Sequence, residues 1–145
     1  MKEPIIKWDA ETGTAYYGLF DADNKLHEGY AHCHADDLDM MNKMTGIEIA
    51  RHRAEINGYK AYKYKLKNKL DALNQLYYSM KHSKKFNPKS YENIMLQRQI
   101  RLIKEDITAV NNIIAEELVF LKVYIAEKEA FYKQLRKIRQ RKQGE

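Results

Sequence analysis

The sequence predicts an α+β fold that is mostly α: an N-terminal β-hairpin cap on a long antiparallel two-helix coiled-coil hairpin. Three observations lead there. Between Thr45 and Lys142 the chain holds only two glycines, Gly46 and Gly58, and one proline, Pro88. Over the same span apolar residues recur at spacings of three and four, the period of helices packed along a seam. Ahead of it, two aromatic-rich runs flank a cluster of residues that accept turn conformations. At 145 residues the chain is one domain, 1–145, with an acidic cap and short helix over 1–44 and a basic helical hairpin over 45–145.

In the cap, Thr14-Ala-Tyr-Tyr-Gly-Leu-Phe20 and Leu26-His-Glu-Gly-Tyr-Ala-His-Cys-His34 pair across the five-residue loop Asp21-Ala-Asp-Asn-Lys25. Two strands alone are marginal in water, so the hairpin lays one face on the helices, with Ile5, Ile6 and Trp8 supplying an edge or a plug. Asp36 or Asp37 caps a short helix through Met44. Thr45 caps the long one, with Glu48 three residues on completing a capping box.

Helix one is expected over 46–82, with seam Ile49, His52, Ile56, Tyr59, Leu66, Leu70, Leu73, Tyr77 and Met80. Gly58 inside it marks a bend or a close backbone contact. Ser83-Lys-Lys-Phe-Asn-Pro-Lys-Ser90 is the turn, with Pro88 the breaker and Ser90 the next cap. Helix two runs to about Lys142 on the seam Ile100, Ile103, Ile107, Val110, Ile114, Leu121, Tyr124, Phe131, Leu135 and Ile138.

At ~1.5 Å per residue the helices measure roughly 55 and 78 Å. Folding about Phe86 sets Met80 near Glu92 and Arg53 near Val119, and leaves the end of helix two to lie along the acidic cap or to pair with a second subunit. Leu96, Leu102, Ile113, Leu118, Val119, Phe120, Val123 and Ile125 fall outside the seam. They exceed what one partner helix buries, which favours oligomerisation, such as a homodimer, or extensive cap packing.

Charged residues make up 32% of the chain and mean hydropathy is -0.72, as suits paired helices with wide solvated faces. The formal net charge of +6 hides an asymmetry. Residues 1–48 carry four basic and ten acidic side chains, and 49–145 carry twenty-two and ten. No apolar run suits a signal peptide or a membrane span, so no membrane partner and a cytoplasmic location are expected. A single cysteine, Cys33, excludes an intrachain disulfide framework.

The densest chemical group is His27 followed by His32-Cys-His-Ala-Asp-Asp-Leu-Asp39. Thiolate, imidazole and carboxylate together suit a structural zinc, held by Cys33 and His34 with Asp36, Asp37 or Asp39 and completed by His32 or His52. The metal set expected is His32, Cys33, His34 and Asp37. The same residues also read as a buried thiol, hydrogen-bonded histidines and helix-capping aspartates. A thiol nucleophile needs a base that adjacent strand residues do not present, and no phosphate loop, serine elbow or HExxH motif occurs. Catalysis is therefore not expected.

Two basic features remain. Tyr59-Lys-Ala-Tyr-Lys-Tyr-Lys-Leu-Lys-Asn-Lys69 places Lys60, Lys63 and Lys67 on one helical stripe, suited to nucleic-acid phosphates or to ion pairs with Glu105, Asp106, Glu116 and Glu117. The tail from Lys133 to Lys142, with Arg136 and Arg139, suits nucleic acid, an acidic protein surface or the helix dipole. Together with Asp21 and Asp23 on the cap, these are the candidate partner-binding residues.

The segment Gly29-Tyr-Ala-His-Cys-His-Ala-Asp-Asp-Leu-Asp-Met-Met41, followed by Thr45-Gly-Ile-Glu-Ile-Ala-Arg-His-Arg-Ala54, resembles small accessory proteins of phages of Gram-positive bacteria. In those a hairpin ends in a Cys-His-x-Asp-Asp run, and a Thr-Gly pair opens a long helix with Ile-Ala and Arg-Ala. The likeness covers residues 14–56, with Ala35 where the pattern has proline. It implies an anti-defence protein of the host bacterial cytosol, similar in size and build to type II anti-CRISPR proteins. Such a protein inhibits a CRISPR effector such as Cas9 stoichiometrically by protein-protein binding. Nucleic-acid binding, or an oligomeric sponge for a nucleotide signal using Arg51, Arg53 and tail arginines, are the alternatives.

Overall fold

A computed structural model describes residues 2–33 and 42–144. Three strands, β1 (Ile5–Asp9), β2 (Thr14–Phe20) and β3 (Leu26–His32), precede two helices, α1 (Lys43–Lys81) and α2 (Tyr91–Gln143). The fold is α+β, mostly α, as the sequence predicts. Chain contacts gather into two compact units, Met1–Gly58 with Glu116–Glu145, and Tyr59–Ala115.

In the first unit the sheet is antiparallel in the order β1-β2-β3, so Ile5, Ile6 and Trp8 form a true edge strand. The β2–β3 loop is the expected Asp21–Lys25 segment. Asp21 organises it. Its Oδ1 accepts the backbone N–H groups of Asp23 at 2.8 Å and Lys25 at 3.0 Å, its Oδ2 lies 2.8 Å from His27 Nε2, and Asn24 takes the left-handed conformation at φ 60°. The His27 hydrogen bond first, then the Lys25 N–H, holds the Asp21 carboxyl down at about 2. A lowered folded-state value stabilises above the unfolded pKa and is lost as pH falls through the folded one. Asp21→Asn keeps an acceptor oxygen but removes the charge. We expect it to flatten the decline of Tm between pH 3.8 and about 2, followed by circular dichroism.

The sheet meets α1 through small residues. Gly46, Ala50, Ala54 and Gly58 recur every fourth position, making a flat stripe along the helix. Ala15 of β2 and Ala31 of β3 form the core with Ala50, and Trp8, Tyr17, Ile47 and Ile49 pack around them. Gly29 lies so close that a Cβ built on it would fall 2.0 Å from the Ala50 carbonyl oxygen and 2.4 Å from the Ala54 nitrogen. The sequence does not predict that approach at Gly29, whereas at Gly58, where a close backbone contact is an expectation, a Cβ would meet only the His27 ring at an ordinary 3.6 Å.

The start of α1 differs from expectation. Asn42 Oδ1 accepts from the backbone N–H of Met44 at 2.8 Å and Thr45 at 3.4 Å, so the cap falls before Lys43 and Met44 belongs to the long helix. Thr45 is buried inside the first turn, and Glu48 turns to Arg51 instead of closing a capping box. The helix expected from Asp36 or Asp37 lies outside the described residues.

In the second unit the helices fold back on each other through the expected turn. Ser90 Oγ accepts the Asn93 N–H at 3.3 Å, and buried Asn93 donates through Nδ2 to the Asn87 carbonyl at 2.6 Å. The α2 seam is a regular heptad of Asn93, Leu96, Ile100, Ile103, Ile107, Val110 and Ile114, so Leu96 is a core residue at 6% exposure. Across it lie Leu66, Leu70, Leu73, Tyr77 and Met80, with Tyr59 more exposed than expected. Gln97 Nε2 reaches the Tyr77 hydroxyl at 3.4 Å.

In the first unit the inward face of α2 is Glu117, Leu121, Tyr124, Lys128, Tyr132 and Leu135. The step of four from 128 to 132 shifts the seam. Phe131 and Ile138, expected inside, are instead exposed at 53% and 50%. No helix among the described residues is long and apolar enough to cross a membrane.

Candidate functional site

Two features of the first unit carry chemistry or recognition: a histidine held among carboxylates, and the solvent face of the sheet. His52 projects from α1 toward α2 and is 8% exposed. Its Nδ1 donates to Glu117 Oε2 at 2.9 Å and lies 3.8 Å from Glu55 Oε2. Its Nε2 sits 3.2 Å from Glu48 Oε1 but is not aligned for a hydrogen bond. Arg51 pairs with Glu48 and lies 3.8 Å from Glu55 Oε1. That guanidinium holds the Glu48 carboxyl below the ordinary carboxylate range, and Glu48 in turn pushes Arg51 upward. The ring of Phe120 tilts over His52 with centroids 4.8 Å apart, and Tyr124 stacks behind Phe120 at 6.0 Å.

Ligand atoms of His52, Glu55 and Glu117 lie within 4.8 Å of one another, a spacing a divalent cation can bridge. The direct imidazole–carboxylate bond already uses Nδ1, so the group as it stands is a polar clasp between α1 and α2. Glu117 is thus committed to His52, and Glu105 lies 4.0 Å from Arg101 on its own helix. Neither pairs with the lysine stripe as expected. Among the described residues no ion pair reaches Lys60, Lys63 or Lys67.

The expected zinc ligands are only partly described. His34 and Asp37 lie outside the described residues. His32 ends β3 on the solvent side with Nδ1 2.9 Å from Thr14 Oγ1, while Cys33 follows the strand and donates its N–H to the Gly13 carbonyl at 2.8 Å. Both line a cavity of about 80 Å³ with Trp8, Thr45, Gly46 and Tyr132. His52, considered as a completing ligand, sits with the glutamates. Asp21 is taken up by its own turn, Asp23 stands exposed on that turn, and Arg136 and Arg139 lie on α2 in the basic end of the helix.

The solvent face of the sheet is the second feature. Ile5, Lys7, Tyr16, Phe20, Leu26, Glu28 and Tyr30 share it by strand alternation. Tyr16 and Tyr30 have ring centroids 5.1 Å apart, and Lys7 Nζ lies 5.8 Å from the Tyr16 ring. The Tyr16 hydroxyl donates to Glu28 Oε1 at 2.8 Å, and that bond pushes the phenol up to about 12. Tyr30 remains 53% exposed, and Leu26 and Ile5 are 40% and 37% exposed. Gly18 leaves the room in which Tyr16 and Leu26 lie over the strand.

The two sheet edges are unequal. The Cys33–Gly13 bond fixes the parity of the ladder: odd residues of β3 face β2, so Glu28 and Tyr30 point their carbonyls outward. Both are covered, by Asn57 Nδ2 and by an Arg53 guanidinium nitrogen, each at 2.7 Å. By the same parity Ile5, Lys7 and Asp9 bond to β2, and Ile6 and Trp8 turn their backbone N–H and C=O groups outward. Nothing among the described residues covers that edge, where Ile6 is 50% exposed. The periodicity of the sequence places these side chains, but which edge α1 seals follows only from the packing of the glycine–alanine stripe. No family model matches the chain, and no curated protein and no solved structure matches it.

Proposed function

We propose that this chain is a binding protein of phage anti-defence type that inhibits a CRISPR effector such as Cas9 stoichiometrically, docking through the outer face and open β1 edge of its sheet. The observation that supports this most is the outer face itself. The solvated face of an antiparallel sheet is ordinarily polar, yet here tyrosines, Leu26 and Ile5 occupy it beside Lys7. Tyrosines with few rotamers, rimmed by charge, are favourable anchors in protein interfaces. An uncovered strand edge adds main-chain pairing to a partner. The link to a CRISPR effector rests on the resemblance of residues 14–56.

The test is co-purification with Cas9 and a DNA-cleavage assay at excess protein. We expect a complex and lost cleavage, both relieved at least tenfold by Tyr30→Ala combined with Ile6→Pro. Proline removes an outward N–H that the sheet does not use, so the sheet is kept. No complex with undiminished cleavage rejects the reading. A second reading, nucleic-acid binding, draws on Lys60, Lys63 and Lys67, which no acidic side chain neutralises among the described residues. It predicts a salt-dependent gel shift with random DNA or RNA, abolished by neutralising those lysines.

A further inference from the structure

We propose that two copies of this chain associate through the outer face of α2 between Glu116 and Arg141, with the paired helices antiparallel. Glu116, Phe120, Val123, Glu127, Ala130, Gln134, Lys137 and Arg141 follow one another at spacings of four and three without interruption, and every one is exposed. That is a second heptad stripe on a helix whose first stripe already faces inward. Val119 borders it on one side, and Phe131 and Ile138 on the other. Val119 is 63% exposed and Phe120 and Val123 each 50%, a contiguous apolar patch of the kind that marks an interaction surface.

The charges on the stripe select the occupant. In an antiparallel pair each a-type position meets a d-type position of the other copy. With Glu127 opposite Ala130, the neighbouring layers become Val123 against Gln134, Phe120 against Lys137 and Glu116 against Arg141. The end layers are ion pairs, each made twice by symmetry, and Lys137 lays its aliphatic stem and charge on Phe120. A parallel pair stacks each residue on itself, setting Glu116, Glu127, Lys137 and Arg141 each against its own kind. Four like-charge layers forbid that arrangement. Residues 130–143 hold six basic and no acidic side chains, which opposes parallel pairing again. The stripe is therefore complementary to itself under a two-fold axis, as a surface for an unrelated partner need not be.

The surface lies apart from the sheet face assigned above, so either reading can fail without the other. Light scattering on the full chain is expected to give twice the monomer mass. Val123→Glu, at a half-exposed position of the stripe, is expected to halve it with helicity unchanged. Glu116→Arg or Arg141→Glu alone is expected to lower the dimer fraction, and the two together to restore it. Direction is read by disulfide trapping in a Cys33→Ser background: mixed V123C and Q134C proteins form the heterodisulfide, and each alone stays largely unlinked. A monomer mass at every concentration overturns the proposal. So does a homodisulfide from V123C alone, the mark of parallel pairing.

Discussion

Gly29→Ala is expected to cost about 3 kcal/mol or more and to lower Tm by about 10 °C. The added methyl carbon would stand 2.0 Å from the Ala50 carbonyl oxygen and 2.4 Å from the Ala54 nitrogen, both backbone atoms of α1. No side-chain rotation relieves such a collision. Either β3 withdraws from the helix or the first turns of α1 shift, and both routes open the core of Ala15, Ala31 and Ala50. The loss should appear in the far-ultraviolet melt and in the emission of Trp8, the only tryptophan, which packs against that core. Gly58→Ala is the internal control. Its methyl group would meet the His27 ring at 3.6 Å, an ordinary contact, and alanine favours the helix over glycine. We expect stabilisation by about 0.5–1 kcal/mol. Equal melting temperatures for wild type and Gly29→Ala would refute the close-packed stripe.

That contrast shows what is legible in the sequence. Large apolar residues announce their period, so the hairpin, the Asp21–Lys25 loop, the Pro88 turn and both long helices can be read directly. Small residues do not stand out in such a reading. Gly46, Ala50, Ala54 and Gly58 carry the sheet contact, yet add little to an apolar pattern, and their signal is only the interval of four. The Ser90 cap falls where it is expected, but that of α1 does not, because Asn42 and Thr45 are both good N-caps one turn apart and the chain uses the first. The drift of the seam near Phe131 has a related cause. A strict heptad and a helix of about 3.6 residues per turn part company over several turns, so an inward position assigned by counting rotates outward. The β1 edge, uncovered among the described residues, and the sealed β3 edge have no local signature, since Arg53 and Asn57 reach β3 carbonyls from over twenty residues away in the chain.

His52→Ala is the second large effect, expected at about 3 kcal/mol. Two losses combine. The buried ring leaves a void beside Phe120, and the carboxylates of Glu48, Glu55 and Glu117 lose the group that lies between them, with Arg51 left as the counter-charge of Glu48 and Glu55. The pairing itself is separable from the packing by a double-mutant cycle. Glu117→Gln keeps an acceptor for Nδ1 and removes the charge, at an expected cost of about 1 kcal/mol in urea unfolding, because the Glu117 side chain is 30% exposed and solvent screens it. If the 2.9 Å bond joins the helices, the double variant should be less destabilised than the sum of the single ones by about 1 kcal/mol. Strict additivity would mean that the charge of Glu117 adds nothing to the contact with the imidazole. Coupling makes the polar clasp a register device: a slip of α1 against α2 by one residue would carry His52 away from Glu117, whereas apolar side chains along a seam tolerate such slips far better. Register in turn sets how the outer stripe of α2 stands to the stripe of α1 that carries the sheet, so this one polar contact ties the two helices of the first unit to a single alignment.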